Sequence, residues 1–515
     1  MDSETVWTVL RALGEARRLP LDDPDRRWIA HAALALVRDG QQRRRQERNH
    51  AAKEADAAVL AATAMGSPDR VIDVPLSERP VGEPAGELRR ARRCYVCKEH
   101  FTRVGSLYHL LCPSCAAFNA ARRTAHTDLS GRRALVTGGR TKIGHQLALK
   151  MLRDGAHVTV TTRFPADAVS RFAAAGDWGG RLEVVGVDLC DPRQVIALAD
   201  RFLAAGDPLD ILVNNAAQTL RRPLSAYAAL VEGERAGLPP GASTVPGFTP
   251  GPTVRLSGDG NRAPSGLPLP PSGDEGWGLP GLSLPSPSDG LRDLLGLSVP
   301  SGDGAWDLPG LPVPPFGDET RGLLVSTSVD EAERLSVSPS GDVNLGVPDA
   351  SGLLPDMSVR NSWSVRIGEV DPAELLEVQL VNAVAPFLLI DRLLPLLLAA
   401  PFPRRYIVNV SAVEGQFAVA NKTGRHPHTN MAKAGLNMLT RTSAADLARQ
   451  GVYMCSVDTG WITDENPVPV REWLDRRTPL DVIDGAARVY DPIVRGEAGD
   501  PVHGVFLKDY AQAPW

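Results

Sequence analysis

The stretch Arg133-Ala-Leu-Val-Thr137-Gly138-Gly139-Arg140-Thr141-Lys142-Ile143-Gly144 decides how this 515-residue chain folds. A short apolar run enters a glycine-flanked turn, and helical spacing follows over 145–154. Glycine permits the tight backbone, while the free amides and positive dipole end of a helix N-terminus suit a pyrophosphate. Further apolar runs at 157–161, 182–187 and 209–213 end in Thr162-Arg163, in Asp188 and in Asn214-Asn215-Ala216-Ala217. Strand, turn, helix, strand is the order of an α/β, doubly wound parallel sheet, which binds ligands beyond the carboxyl ends of its strands.

That order breaks at 237–358. Of the 43 prolines in the chain, 20 lie between Pro239 and Pro355. Pro271-Ser-Gly-Asp-Glu-Gly-Trp277-Gly-Leu-Pro-Gly-Leu282 returns as Pro300-Ser-Gly-Asp-Gly-Ala-Trp306-Asp-Leu-Pro-Gly-Leu311. Two copies and a fragment are too few for a solenoid, so the stretch reads as an acidic, weakly structured insertion and a candidate lid or partner-docking segment. Alternation resumes after Trp363. Asp371-Pro-Ala-Glu374 opens a helix through Asn382, a strand over 406–410 leads to Ser411, 429–442 is helical, and a strand over 452–457 ends at Asp458-Thr459-Gly460. Without the insertion, 129–236 and 359–515 make one domain of about 265 residues, near the size of a single α/β domain.

Ahead of this body, residues 1–92 read as helices and a proline-bearing linker, and 93–128 as a separate module. Cys94-Tyr-Val-Cys97 and Cys112-Pro-Ser-Cys115 have the spacing of a four-thiolate zinc site, with an intervening segment long enough for a hairpin that brings the pairs together. Four thiolates leave no open coordination position, so the site is structural, and His100 and His109 are not needed. Cys190 and Cys455, isolated in apolar surroundings, read as reduced core thiols, which fits the cytoplasm. The apolar stretch 383–402 carries Asp391 and Arg392, which argues for a buried helix and against a membrane span. A net charge of −5 argues against nucleic acid, despite the basic run at Arg43-Arg44-Arg45.

Taken together, these motifs resemble the short-chain dehydrogenase/reductase family across 129–236 and 359–515, with a Rossmann fold. The family's glycine motif falls on Thr137 to Gly144 and its NNAG element on Asn214 to Ala217. Its catalytic Asn, Ser and Lys fall on Asn382, Ser411 and Lys433. The segment His426-Pro-His-Thr-Asn-Met-Ala-Lys-Ala-Gly435, with Phe506-Leu-Lys-Asp-Tyr510, is similar to an atypical branch with a cysteine-rich module ahead of the Rossmann domain. The resemblance implies cofactor contacts from Gly138, Arg140, Lys142, Ile143, Gly144, Arg163, Asp188, Asn214, Ala216, Lys433 and Gly460. It also implies a small-molecule substrate and a homo-oligomer.

Two departures stand out. Lys142 occupies the family's second glycine position, where its side chain either obstructs the cofactor or points outward and adds charge near phosphate; the intact remainder of the turn favours the latter. Thr429 occupies the position of the family's catalytic tyrosine, and a threonine hydroxyl is a far poorer acid than a phenol. Either His428 or His426 supplies the proton, or Lys433 and Ser411 act through water with Thr429, or catalysis is lost. Arg163 at the end of the second strand, with no carboxylate before Asp167, favours NADP over NAD. The functional reading is thus an NADP-dependent oxidoreductase for a carbonyl, alcohol or related group, against an inactive NADP-binding sensor or scaffold.

Overall fold

The computed structural model describes residues 2–76, 82–252, 347–420, 422–474 and 477–515. A nine-stranded sheet organises them, in the order β11-β10-β9-β8-β6-β3-β4-β5-β7. Its centre is β3 (Arg133–Val136), beside β4 (His157–Thr162) on one flank and β6 (Ile211–Asn214) on the other. Outward from β4 lie β5 (Leu182–Gly186) and β7 (Ala242–Thr244). Outward from β6 lie β8 (Arg405–Ser411), β9 (Val452–Asp458), β10 (Phe506–Lys508) and β11 (Ala511–Ala513). Every pairing is parallel except β10 with β11. Chain order reverses between β3 and β6, so a crevice opens at their carboxyl ends.

Burial explains the strand sequences. Every residue of β6 and β8 is buried, as central parallel strands covered on both faces require. One face packs α4 (Lys142–Arg153) and the helix Val482–Glu497 around Val136, Val213 and Val408. The other packs α5 (Pro192–Ala205) and the helix Ala385–Ala399 around Leu135, Leu212 and Ile407. Local signals agree: Asp191 caps α5 by accepting from the Arg193 amide, Pro192 opens it, and Gly206 closes it at φ 69°. By length and composition the run Pro372–Ala399 could cross a membrane, but half of its most apolar window is buried in the body.

The N-terminal region differs from expectation in its details. α1 (Ser3–Ala16) and α2 (Pro24–Ala61) precede a hairpin of β1 (Gly86–Arg93) and β2 (His100–Val104). The hairpin encloses Cys94 and Cys97 in its turn, rather than lying between the two cysteine pairs. Cys112 and Cys115 instead sit at the start of α3 (Pro113–Arg123). The module is fused to the body: Leu60, Met65, Tyr108 and Leu111 share one apolar cluster with Ile462, Leu480 and Val482. Charge locks the junction. Fully buried Arg123 meets Asp481 at 2.5 Å and Asp484 at 3.0 Å, and the Tyr108 hydroxyl donates to Asp484 at 2.6 Å.

The edges of the proline-rich stretch also belong to the body. β7 extends the sheet beside β5, and Val245 and Phe248 enter the core, although 237 was the expected start of the insertion. A three-residue strand between glycines and prolines is too short to show alternation. On the far side, Asp349 accepts from the amides of Ser351 and Leu353, and the Ala350 and Ser351 carbonyls meet Arg171 and Arg140. The paired repeats at 271–282 and 300–311 lie outside the described residues.

Candidate active site and metal centre

The crevice has two ends, the glycine turn expected to meet phosphate and the end expected to be catalytic. At the first, Gly138 has φ 68°, and a Cβ there would lie 2.9 Å from the Ala216 Cα. A Cβ on Gly144 would lie 2.2 Å from the Gly138 carbonyl oxygen, so both positions require glycine. The turn is clamped by the segment after β6. Asn215 Nδ2 donates to the Thr137 carbonyl at 2.9 Å, and the amides of Asn215 and Ala216 donate to Thr137 Oγ1 at 3.0 Å. Asn214 supports the floor: it is 2% exposed and donates to Asn409, which donates to Thr440.

The basic residues of this end are engaged. Arg140 Nη1 reaches Asp167 Oδ2 and the Ser351 carbonyl, each at 2.7 Å. Arg163 lies over the Tyr227 ring, 5.4 Å from its centroid. Asp188 is buried and accepts from the Cys190 amide at 3.0 Å. Lys142 keeps the backbone of the glycine it replaces, at φ 53°, and its Nζ pairs with Asp73 Oδ2 at 2.9 Å. The expected outward charge near phosphate is therefore spent on a carboxylate from the linker between α2 and β1.

The end expected to be catalytic draws on three elements. Asn382 lies in a π-helical turn, Leu380–Val384, where it accepts from the Gln218 amide at 2.7 Å and donates to the Gln218 carbonyl at 2.9 Å. Ser411 ends β8. Thr429 and Lys433 are one turn apart on the helix Pro427–Ala448 and so share a face. Lys433 Nζ donates to the Val410 carbonyl at 2.8 Å, and burial pushes its pKa down to about 8, with Glu414 pulling the other way. Burial likewise raises the Glu414 carboxyl. Ser411 Oγ and Thr429 Oγ1 are buried without a hydrogen-bond partner.

The two histidines point elsewhere. His428 is turned about 100° from Thr429 around the helix, and its Nε2 lies 3.5 Å from Glu374 Oε1. His426 has φ 40°, stacks on Trp363 and meets its carbonyl through Nδ1 at 2.8 Å. The Thr429 amide donates to the His426 carbonyl at 3.1 Å, but among the described residues neither ring hydrogen-bonds to Ser411 or Thr429.

The four module cysteines come together, with all Sγ atoms within 4.8 Å of one another and those of Cys97 and Cys112 at 3.7 Å. A tetrahedral zinc thiolate, with Zn–S near 2.3 Å, has S–S edges of about 3.8 Å, so the donor set fits that ion. Neither His100 nor His109 joins the cluster. Tyr95, inside the first cysteine pair, accepts from the Trp461 amide at 2.8 Å, which sets the module against the Gly460 segment of the crevice.

Residues 132–230 match the sequence model of the short chain dehydrogenases, and 353–480 match a second model from the same group, described as enoyl-(acyl carrier protein) reductase. The chain belongs to the short-chain dehydrogenase/reductase family. An uncharacterized protein of Acanthamoeba polyphaga mimivirus is 29% identical over 424 residues, covering 78% of this chain and 71% of that one. A probable oxidoreductase of Streptomyces antibioticus is 45% identical over 92 residues, 17% of this chain and 30% of the relative. Among solved structures, the carbonyl reductase Sniffer of D. melanogaster aligns over 75% of this chain with 16% identity and a TM-score of 0.40.

As a dehydrogenase/reductase fold, the chain gathers Gly138, Gly144, Asn215 and Ala216 at one end of the crevice, and Ser411, Thr429 and Lys433 at the other. Ile143 faces away from the crevice, toward Gly485 and the apolar cluster shared with the module. Gly460, at φ 80°, turns the chain beside Tyr95. Sequence reading missed Asp73, Tyr227 and Glu414. Asp73 sits in a polar linker and carries no motif. Tyr227 follows the last recognised element before the insertion. Glu414 alone had a usable signal, being three residues past Ser411, the serine expected to be catalytic.

Proposed function

We propose that this protein is an NADP-dependent oxidoreductase that interconverts a small-molecule carbonyl or related group and its reduced form, with Lys433 holding the proton that tyrosine holds elsewhere in the family. The observation that carries the reading is the catalytic end itself. Two buried hydroxyls there have unspent hydrogen-bonding capacity beside a lysine whose pKa is lowered to about 8. Buried polar groups without partners are rare in folded proteins, and a bound water or a substrate oxygen would satisfy these two.

The cofactor, when bound, supplies the hydride. The glycine turn, with backbone where any Cβ would clash, fits its diphosphate. Arg163 at the end of β4 fits a 2′-phosphate, and nearby Asp167 is occupied by Arg140 and Arg171. Lys433 is the acid for a forming alkoxide and the base for alcohol oxidation, with a proton passed through Thr429 Oγ1 or a water in the space the missing phenol leaves. Ser411 Oγ donates to the substrate oxygen, and Asn382 fixes the Gln218 segment at the crevice wall. A pKa near the working pH is the condition for such transfer.

Structural zinc in the four-cysteine cluster fits the module's part as a wall of the crevice. A reducing, cytoplasmic setting fits its thiols. Exposed Leu376, Phe387, Met431 and Met438 on the helices that carry Asn382 and Lys433 are the faces on which we place a homo-oligomer contact. Against the enzyme stands the sensor reading, favoured by Thr429. NADPH binding followed by turnover on a carbonyl panel separates the two. Turnover that is lost in Lys433→Met while binding persists supports the enzyme; tight binding with no turnover supports the sensor.

A further inference from the structure

The linker after α2 is tied across the phosphate end of the crevice. The Ala64 and Met65 amides donate to the carbonyls of Ser106 and Leu107, each at 2.9 Å, joining the strap to the module. Arg70 donates to the carbonyls of Thr478 and Leu480 at 2.8 and 2.9 Å, and the Leu76 amide donates to Asp481 at 2.9 Å. Between these anchors Asp73 takes the left-handed backbone, φ 68°, and its carboxylate meets Lys142 at the first residue of α4. Both partners of this ion pair therefore hold a conformation that costs a side-chain-bearing residue free energy. A cavity of about 190 Å³ lies beside the pair, lined by Asp73, Arg140, Thr141, Lys142 and Ser351. Asp73 Oδ1 is buried there without a hydrogen-bond partner.

We infer that Asp73 is an internal anion that competes with the cofactor's diphosphate for Lys142, so that the N-terminal strap sets the affinity of the crevice for the dinucleotide. The inference rests on the dinucleotide reading above. Asp73 lies outside both segments that match the family, so this contact is added to the fold by the N-terminal extension. A helix N-terminus already favours anions through its free amides and dipole. A carboxylate fixed by one side chain of that first turn, with Glu465 also acting on Lys142, neutralises the added cation and opposes a second anion close by. Lys142 therefore replaces glycine with its charge already paired, and an arriving diphosphate draws it from Asp73. By linkage, whatever loosens the strap strengthens cofactor binding, and cofactor binding loosens the strap.

The test is fluorescence titration of NADPH on the full-length protein and its Asp73→Asn, Asp73→Glu and Asp69→Asn variants, each checked by thermal melt. Asp73→Asn is expected to bind about fivefold tighter, the scale of one partly screened charge pair. Asp73→Glu keeps the charge and should bind like the parent, as should Asp69→Asn, which removes an exposed carboxylate from the same strap. Saturating NADPH should also speed amide exchange over 72–76 in the parent protein. Parent-like or weaker binding by Asp73→Asn overturns the inference while leaving the dinucleotide reading intact. No NADPH binding by the parent or any variant overturns both.

Discussion

The two ends of one crevice depart from the family in opposite ways. At the phosphate end a glycine has become Lys142, and the chain answers the change: the lysine keeps the glycine backbone and its charge is met by Asp73. At the catalytic end a tyrosine has become Thr429, and nothing fills the loss: the hydroxyls of Ser411 and Thr429 remain without partners. Compensation within the chain marks an interaction that serves structure and affinity. The open hydroxyls of Ser411 and Thr429 keep hydrogen-bonding capacity for a ligand.

The compensated end should break when the N-terminal region that supplies Asp73 is loosened. On the proposed structural-zinc reading, treatment with a chelator has the largest expected effect, since structural zinc binding is worth ~10 kcal/mol or more of folding free energy. Exchange over 86–123 should become fast, and NADPH affinity should change with it. Next in size is Arg123→Met, which leaves Asp481 and Asp484 buried without their cation. Denaturant unfolding should show a loss of ~3–5 kcal/mol.

The open end should respond in function and hardly at all in stability. Thr429→Val removes a hydroxyl that has no partner, so the unfolding free energy should stay within ~1 kcal/mol of the parent. Turnover should nevertheless fall ~100-fold, the usual scale for loss of a proton-transfer group. The smallest effect is on pH dependence. Because the folded-state pKa of Lys433 is lowered to about 8, reductive turnover should decline as pH rises through that value. Between about 8 and lysine's ordinary value the unfolded chain binds the proton more readily. Stability relative to Lys433→Met should therefore rise with pH across that window.

Much of this was legible in the sequence because it is local. The glycine turn, the β3–α4 order and the cysteine pairs each declare themselves within a few residues. Asn214 and Asn215 could be placed near the turn by motif, though not the ladder from Asn214 through Asn409 to Thr440, which needs β6, β8 and the helix Pro427–Ala448 side by side. β7 escaped notice because three residues carry no periodicity. The partner of Lys142 lies 69 positions away in a linker without a motif, and only the docked module brings it there. His428 looked like a proton donor by adjacency to Thr429, but neighbours along a helix face different directions, and its ring turns to Glu374.

The claim that the open catalytic end is a working one is tested most directly by single-turnover oxidation of bound NADPH with a carbonyl panel, comparing the parent protein with Lys433→Met. The account predicts oxidation of NADPH by at least one carbonyl in the parent, and its loss in Lys433→Met with NADPH still bound. Equal rates in the two proteins, or bound NADPH that no carbonyl oxidises, would contradict it.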